Sequence, residues 1–138
     1  MISKDSICEL VSYIVRTDVG AVGAKLLYKD NTLQHAGAII DIGGVADHAF
    51  KMKHDKDHTY MNRSQIVQDY SAVTAACLMT KKEVLDKING FDEKLVVAFN
   101  DIDLCMNIRK IGKKVVYNPY CNFYHYESKS RGLEDTVE

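Results

Sequence analysis

The sequence has no tryptophan and a single proline, Pro119. With no low-complexity tract and no internal repeat, that leaves no composition for a linker, and 138 residues fit one domain. The four cysteines, Cys8, Cys77, Cys105 and Cys121, stand far apart with no CxxC pair. That spacing suits neither a disulfide frame nor a zinc site, and it predicts small buried thiols in a reducing, cytoplasmic setting. No apolar run approaches the ~20 residues of a membrane span. The opening MISKDSICEL lacks the apolar core of a signal peptide. Eighteen Lys and Arg against nineteen Asp and Glu give a net charge of −1, so no basic face invites nucleic acid. What remains, 46% hydrophobic and 27% charged residues, is the make-up of a soluble globular domain.

Periodicity then divides the chain. Ile7, Leu10, Val11, Ile14 and Val15 recur at helical spacing and predict an amphipathic helix over 4–17. VGAVGAKLLY at 19–28 is small and apolar throughout and predicts a buried strand, with Gly20 and Gly23 allowing close approach of another group. A turn at 29–32 and an extended segment at 33–42 suggest a hairpin-like excursion. Periodicity is lost over 43–69, a stretch long enough to predict a mobile flap or binding loop. SAVTAACLM at 71–79 reads as a second buried strand. Thr80 and Glu83 form a T-x-x-E capping box for a short helix to Ile88, with Met79 and Val84 as its staple and Gly90 as its C′ residue. A further helix from Asp101 ends at Gly112 and carries Leu104, Ile108 and Ile111 on one face. Extended pieces follow over 114–120, with Asn118 and Pro119 as a turn or edge position, and over 121–126.

The stretch GFDEKLVVAFNDIDLC, 90–105, carries the densest chemistry. Asp92, Asp101 and Asp103 surround a helix entry, where free N–H groups and the positive end of the dipole fix a carboxylate in direction, as a general base requires. Helix chemistry explains part of the same pattern. Asn100 as N-cap with Asp103 at N3 makes a capping box, and Phe99 with Leu104 a staple. Asp101 is not needed for that cap; dipole partner and base both remain open for it. His125 lies at the end of a predicted strand, and a carboxylate and a His at element ends are how an α/β enzyme assembles a site.

Four ordered blocks, VGAVGAKLLYKDNTLQHAG at 19–37, SAVTAACLMTKKEVLDKINGFDE at 71–93, FNDIDLCMNIRKIGKKVVYNP at 99–119 and YHYESKSRG at 124–132, resemble the C-terminal part of family 2 inverting glycosyltransferases, especially rhamnosyltransferase-like members. The resemblance implies an α/β fold: a partial GT-A fold, mixed sheet with flanking helices, lacking the N-terminal nucleotide-binding half. It implies that Asp101 matches the second acidic residue of the family's "ED" motif, the general base, although Asn100 replaces the Glu. Asn100 and Asp103 beside it are the implied acceptor-binding residues. His125 matches the histidine that helps hold Mg²⁺ or Mn²⁺ on the donor diphosphate. Ser128 and Arg131 match a segment that closes over the diphosphate, a role for which the fork of an Arg is suited. Asp101-Ile102-Asp103 and Asp55-Lys56-Asp57 both spell the family's D-x-D metal motif, but neither stands where the family has it, ahead of the first helix. The expectation is a fragment whose parent transfers a hexose or deoxyhexose from a nucleotide-diphospho-sugar to a saccharide acceptor with inversion. That parent would serve cell-envelope polysaccharide synthesis at the inner face of the membrane, while the fragment alone would be inactive. Sheet edges exposed by the missing half would favour self-association.

Two other readings stand beside this one. A non-catalytic carbohydrate-binding or assembly module would use Tyr117, Tyr120, Phe123, Tyr124 and Tyr126 to stack on sugars, although core packing is the commoner use of such residues. A metal protein would bind zinc through His48, His54 and His58, whose spacing matches no common zinc pattern.

Overall fold

A computed structural model describes residues 4–42, 44–95 and 99–126. Helix α1 (Lys4–Ile14) is followed by the central strand β1 (Val19–Leu27), every residue of which is buried. The small apolar run is explained by its neighbours. Along one edge β1 pairs antiparallel with β2 (Leu33–His35) at its upper end and with β6 (Leu78–Thr80) lower down, and along the other it pairs parallel with β7 (Lys114–Tyr124). A two-residue strand β5 (Gln68–Asp69) closes the far side of β7 antiparallel, so the sheet is mixed. Strands β3 (Ala38–Ile40) and β4 (Ala46–His48) form a separate two-stranded ribbon. Helices α2 (Lys82–Ile88) and α3 (Asn100–Lys110) complete the fold. None of the described helices is long and apolar enough to cross a membrane.

Helices cover both sheet faces. Leu10 and Ile14 of α1 pack on Val22, Ala24, Leu26, Val116 and Cys121, each aliphatic side chain contributing about 1.5–3 kcal/mol by burial. On the opposite face Val84 of α2 and Leu104, Cys105 and Ile108 of α3 pack with Val73, Val115 and Tyr117. Gly23 is required by this packing, because a Cβ there would run into the Val73 side chain. Gly20 makes the same allowance for Ile108 and Lys113.

Several expectations are corrected. The first helix stops at Ile14, and its Ile7, Val11 and Val15 lie exposed. The extended segment 33–42 is broken at Gly37, whose φ of 95° turns the chain over the Tyr70 ring. The described residues 44–69 include β4, a 3-10 turn at Tyr60–Gln65 and β5. No strand spans 71–79. Ala72 makes a single bridge to Ala38, Ala75–Cys77 is a 3-10 turn, and strand pairing resumes at Leu78. Thr80 caps nothing, because β6 draws it into the sheet, where its hydroxyl donates to the Gly20 carbonyl at 2.6 Å; Lys81 is the N-cap of α2. The last two predicted strands are one, β7, with Pro119, Tyr120 and Cys121 bulging between the Ala24–Asn118 and Lys25–Asn122 pairs. Of the cysteines, Cys105 and Cys121 are buried as predicted and Cys77 partly so, whereas Cys8 is exposed.

Candidate active site at the start of helix α3

Helix α3 begins one residue earlier than its capping signature predicts. Phe99 is the N-cap, in the left-handed region with φ of 65°, and makes no side-chain cap bond. Asn100 is thus already helical. The Asp103 backbone N–H donates to the Phe99 carbonyl at 2.9 Å, and its carboxylate accepts from the Asn107 amide at 2.9 Å, so the predicted capping box does not form. Phe99 is 44% exposed. Asp92 accepts from the Lys94 backbone N–H at 3.0 Å within its own turn.

Asp101 has a tertiary partner instead. Its Oδ1 accepts from the Ile102 backbone N–H at 2.9 Å and its Oδ2 from the Ala75 backbone N–H at 3.2 Å. Ala75 belongs to a strap, Val73 to Ala75, laid between α3 and the sheet. One helical turn after Asp101, the Cys105 Sγ lies 3.5 Å from both the backbone N and O of Val73. Burial pushes the Cys105 thiol up to about 11, with the nearby Asp101 carboxylate adding to the shift, so it serves as a packed anchor and not as a nucleophile. The Thr74 hydroxyl accepts from the Ala76 N–H at 3.3 Å and starts the turn that aims the Ala75 amide outward.

Behind the strap sits His35 of β2, fully buried. Its Nε2 accepts from the Thr74 backbone N–H at 3.3 Å, and its Nδ1 lies 2.8 Å from Nδ1 of His48 on β4. Burial, and then the neighbouring His48, hold the pKa of His35 well below the usual histidine value, so it is neutral. Tyr117 meets His35 edge-on and donates its hydroxyl to the Ser64 carbonyl at 2.8 Å. Neither His35 nor the amides of Thr74 and Ala75 stand out as functional in the sequence. The only signal is that LQHAG and TAAC fall inside the resembling blocks.

His125 follows β7. Its backbone N–H donates to the Leu27 carbonyl at 3.0 Å and its Nδ1 bonds Oε1 of Gln34 at 2.9 Å. Gln34 and His35 are successive residues of one strand and so face opposite sides. His125 is on the Gln34 side, Asp101 is reached from the His35 side, and no hydrogen bond joins them. Because Gln34 Oε1 accepts, the His125 proton is on Nδ1, which leaves the Nε2 lone pair to bind a metal. That arrangement fits a divalent cation at one ligand only. Among the described residues no three His, Cys, Asp or Glu side chains are grouped to hold one. The Asp55 carboxylate is taken by Lys25 at 2.7 Å, and Asp57 accepts from the His54 backbone N–H at 3.1 Å, so Asp55-Lys56-Asp57 is a loop structure. His48 Nδ1 meets His35, and among the described residues His48, His54 and His58 are not grouped to hold a metal. Ser128 and Arg131 lie outside the described residues.

The chain is similar over its whole length, at 47% identity, to an uncharacterized protein of Sinorhizobium fredii, of which it spans 15%. It is 36% identical over 94% of its length to the O-antigen biosynthesis protein RfbC of Myxococcus xanthus, spanning 10% of that protein. Over 62 residues it is 27% identical to an N-acetylglucosaminyl-diphospho-decaprenol L-rhamnosyltransferase of Mycobacterium tuberculosis, spanning 20% of it. No protein-family model matches the chain. The chain thus resembles a small part of longer, glycosyltransferase-like proteins.

Proposed function

We propose that the chain is the acceptor- and base-bearing part of an inverting glycosyltransferase of GT-A type, with Asp101 as the general base. The observation that carries the reading is the way Asp101 is held. It sits in the first turn of α3, half-buried, with each carboxylate oxygen engaged by a backbone amide. Amide donors orient the carboxylate without proton exchange of their own, and its remaining lone pairs can accept a hydroxyl proton. The similarity to proteins named for O-antigen biosynthesis and rhamnosyl transfer supports sugar transfer as the reaction.

In this reading the acceptor hydroxyl gives its proton to the Asp101 carboxylate while its oxygen bonds the anomeric carbon. The bond from that carbon to the diphosphate oxygen breaks, the leaving nucleoside diphosphate keeps the electron pair, and the configuration inverts. Asn100 and Asp103, flanking the base on α3, border the acceptor. His125 would contribute Nε2 to Mg²⁺ or Mn²⁺, which would supply positive charge to the leaving diphosphate. Ser128 and Arg131 would contact that diphosphate. The donor is a nucleotide-diphospho-sugar and the acceptor a saccharide, and the chain alone is inactive because one histidine does not make a metal site. Uncrosslinked Cys105 and Cys121 suit a cytoplasmic setting, with the parent working at the inner face of the membrane.

The test is Asp101→Asn in the longer protein of which the chain is a part. A base of this kind contributes on the order of 10²–10⁴ in rate, so turnover should fall by that factor while donor binding stays. Unchanged turnover would remove Asp101 from the mechanism. Tyr120, Tyr124 and Tyr126 are exposed at 61%, 45% and 59%, which favours a second reading as a glycan-binding module. Binding of a saccharide by the chain without nucleotide, together with full turnover of Asp101→Asn, would select it.

A further inference from the structure

We propose that His35 and His48 form a proton-directed latch that positions the amides of Thr74 and Ala75 and, through them, the Asp101 carboxylate. Its consequence for catalysis rests on Asp101 being the base, but its wiring does not.

The wiring follows from one fixed donor. A backbone N–H cannot reverse its polarity, so the Thr74 amide requires a lone pair on His35 Nε2. A neutral imidazole carries one proton, which must then be on Nδ1. That nitrogen lies 2.8 Å from His48 Nδ1, so the latter accepts and the His48 proton is on Nε2. The amide of Thr74 thereby sets the tautomers of both rings. The two rings are perpendicular, with 4.8 Å between their centroids.

The pair is also asymmetric. His35 is fully enclosed, between the strap, the Tyr117 edge and His48. His48 is half-buried on the β3–β4 ribbon. The other titratable groups nearby are Tyr70 behind Tyr117, Asp101 and Cys105 across the strap, and Asp47, whose carboxylate accepts the His48 backbone N–H at 2.7 Å. The Lys25–Asp55 pair lies beyond Tyr117. A second proton on His48 makes its Nδ1 a donor facing the donor on His35. The conflict is relieved only if His35 moves its own proton to Nε2, where it meets the Thr74 N–H. Either way a hydrogen bond of the latch is lost, and the strap that presents Ala75 to Asp101 loses its rear support. The latch is closed above the pH at which His48 protonates and opens below it. His35 and His48 are therefore positioning residues, tying the ribbon to the candidate base through the strap.

The experiment uses the 138-residue chain without any sugar donor, so its outcome is separate from transfer activity. Imidazole nitrogen shifts at neutral pH should show His35 protonated at Nδ1 and His48 at Nε2; the reverse tautomers or a cationic His35 would overturn the proposal. As pH is lowered to about 5, protection of the Thr74 and Ala75 amides should drop roughly tenfold, in step with the change in the His48 nitrogen shifts. The Asp101 Cγ shift should move in step with that drop. In His48→Gln, whose side-chain oxygen accepts from His35 but does not titrate, the protection should persist across the range. Exchange at Thr74 that ignores the His48 titration, or the same fall in His48→Gln, would sink the latch. A packing role for His48 would move neither the tautomers nor the pH profile.

Discussion

Lys25 is the only charged residue of β1, and it is buried where its neighbours are apolar. Its side chain is 4% exposed, and its ammonium reaches Asp55 at 2.7 Å and Gln65 Oε1 at 3.2 Å. Gln65 closes the set by donating to the Asp55 carbonyl at 2.7 Å. The two ends of this pair are not equivalent. Lys25→Met replaces the ammonium by an apolar chain of similar reach and frees a carboxylate that still touches water, costing about 1 kcal/mol. Asp55→Asn strands a buried ammonium and should cost about 3 kcal/mol; urea unfolding of the two variants checks the ordering. Burial raises the Asp55 pKa, but the bonds from Lys25 and Gln65 outweigh it and the net shift is downward. The stabilisation is therefore fully present above the unfolded carboxylate pKa of ~3.9 and is lost as pH falls through the lower folded value. Nothing in the sequence linked Lys25 to Asp55, because the partner lies thirty positions on, in a stretch without periodicity. The cysteines were half legible for the same reason: burial of a thiol depends on which face of its element is covered. Cys105 and Cys121, with burial raising their pKa to about 11 and about 12, should resist alkylation in the folded chain, and exposed Cys8 should react first. Mass mapping of modified thiols reads this directly.

At the scale of elements, periodicity located α1 and α3, because each buries one face and burial imposes a repeat, an unbroken apolar run marked β1, and capping residues marked α2, whereas β7 read as two pieces. Element ends were less legible, since a local capping signature competes with tertiary partners. Thr80 with Glu83 reads as a capping box, yet the Thr80 hydroxyl is worth more to the Gly20 carbonyl beside it in the sheet. The helix starts later, from Lys81 with φ of −88° and ψ of 141°, an extended conformation suited to a capping side chain that lysine cannot supply. Lys81→Ser should therefore stabilise the chain by about 0.5–1 kcal/mol, less the exposed bond from Lys81 Nζ to the Arg16 carbonyl, and raise the melting temperature by a few degrees. At α3 the competition turned on Asp101. The left-handed turn at Phe99 replaces the expected Asn100 cap, and Asp101, which that cap did not need, bonds the Ala75 amide instead. The short strands β4, β5 and β6 could not be read, because a two- or three-residue strand carries no measurable alternation.

At the scale of the whole molecule, the candidate base rests on the sheet in two ways: α3 packs on it directly through Ile108, and the Val73–Ala75 strap joins β1 to the start of α3. Gly23 is the contact point, since its missing Cβ is the space that Val73 occupies. Gly20 is its counterpart lower on the same strand, filled by Ile108 near the far end of α3 and by Lys113 beyond it. Gly23→Ala and Gly20→Ala both overpack the same face, and each should destabilise by about 1–3 kcal/mol in urea unfolding. They should part in their effect on the site. Val73 is held at its backbone by Cys105 and is followed by Thr74, so pushing its side chain off β1 shifts the amides that meet His35 and Asp101. Gly23→Ala should lower amide protection of Thr74 and Ala75 at neutral pH beyond the global loss of stability, whereas Gly20→Ala should lower them only in proportion to it. Equal effects at the strap would mean that α3 and the strap move as one rigid body, and that Asp101 is aimed by its helix and not from behind by the sheet.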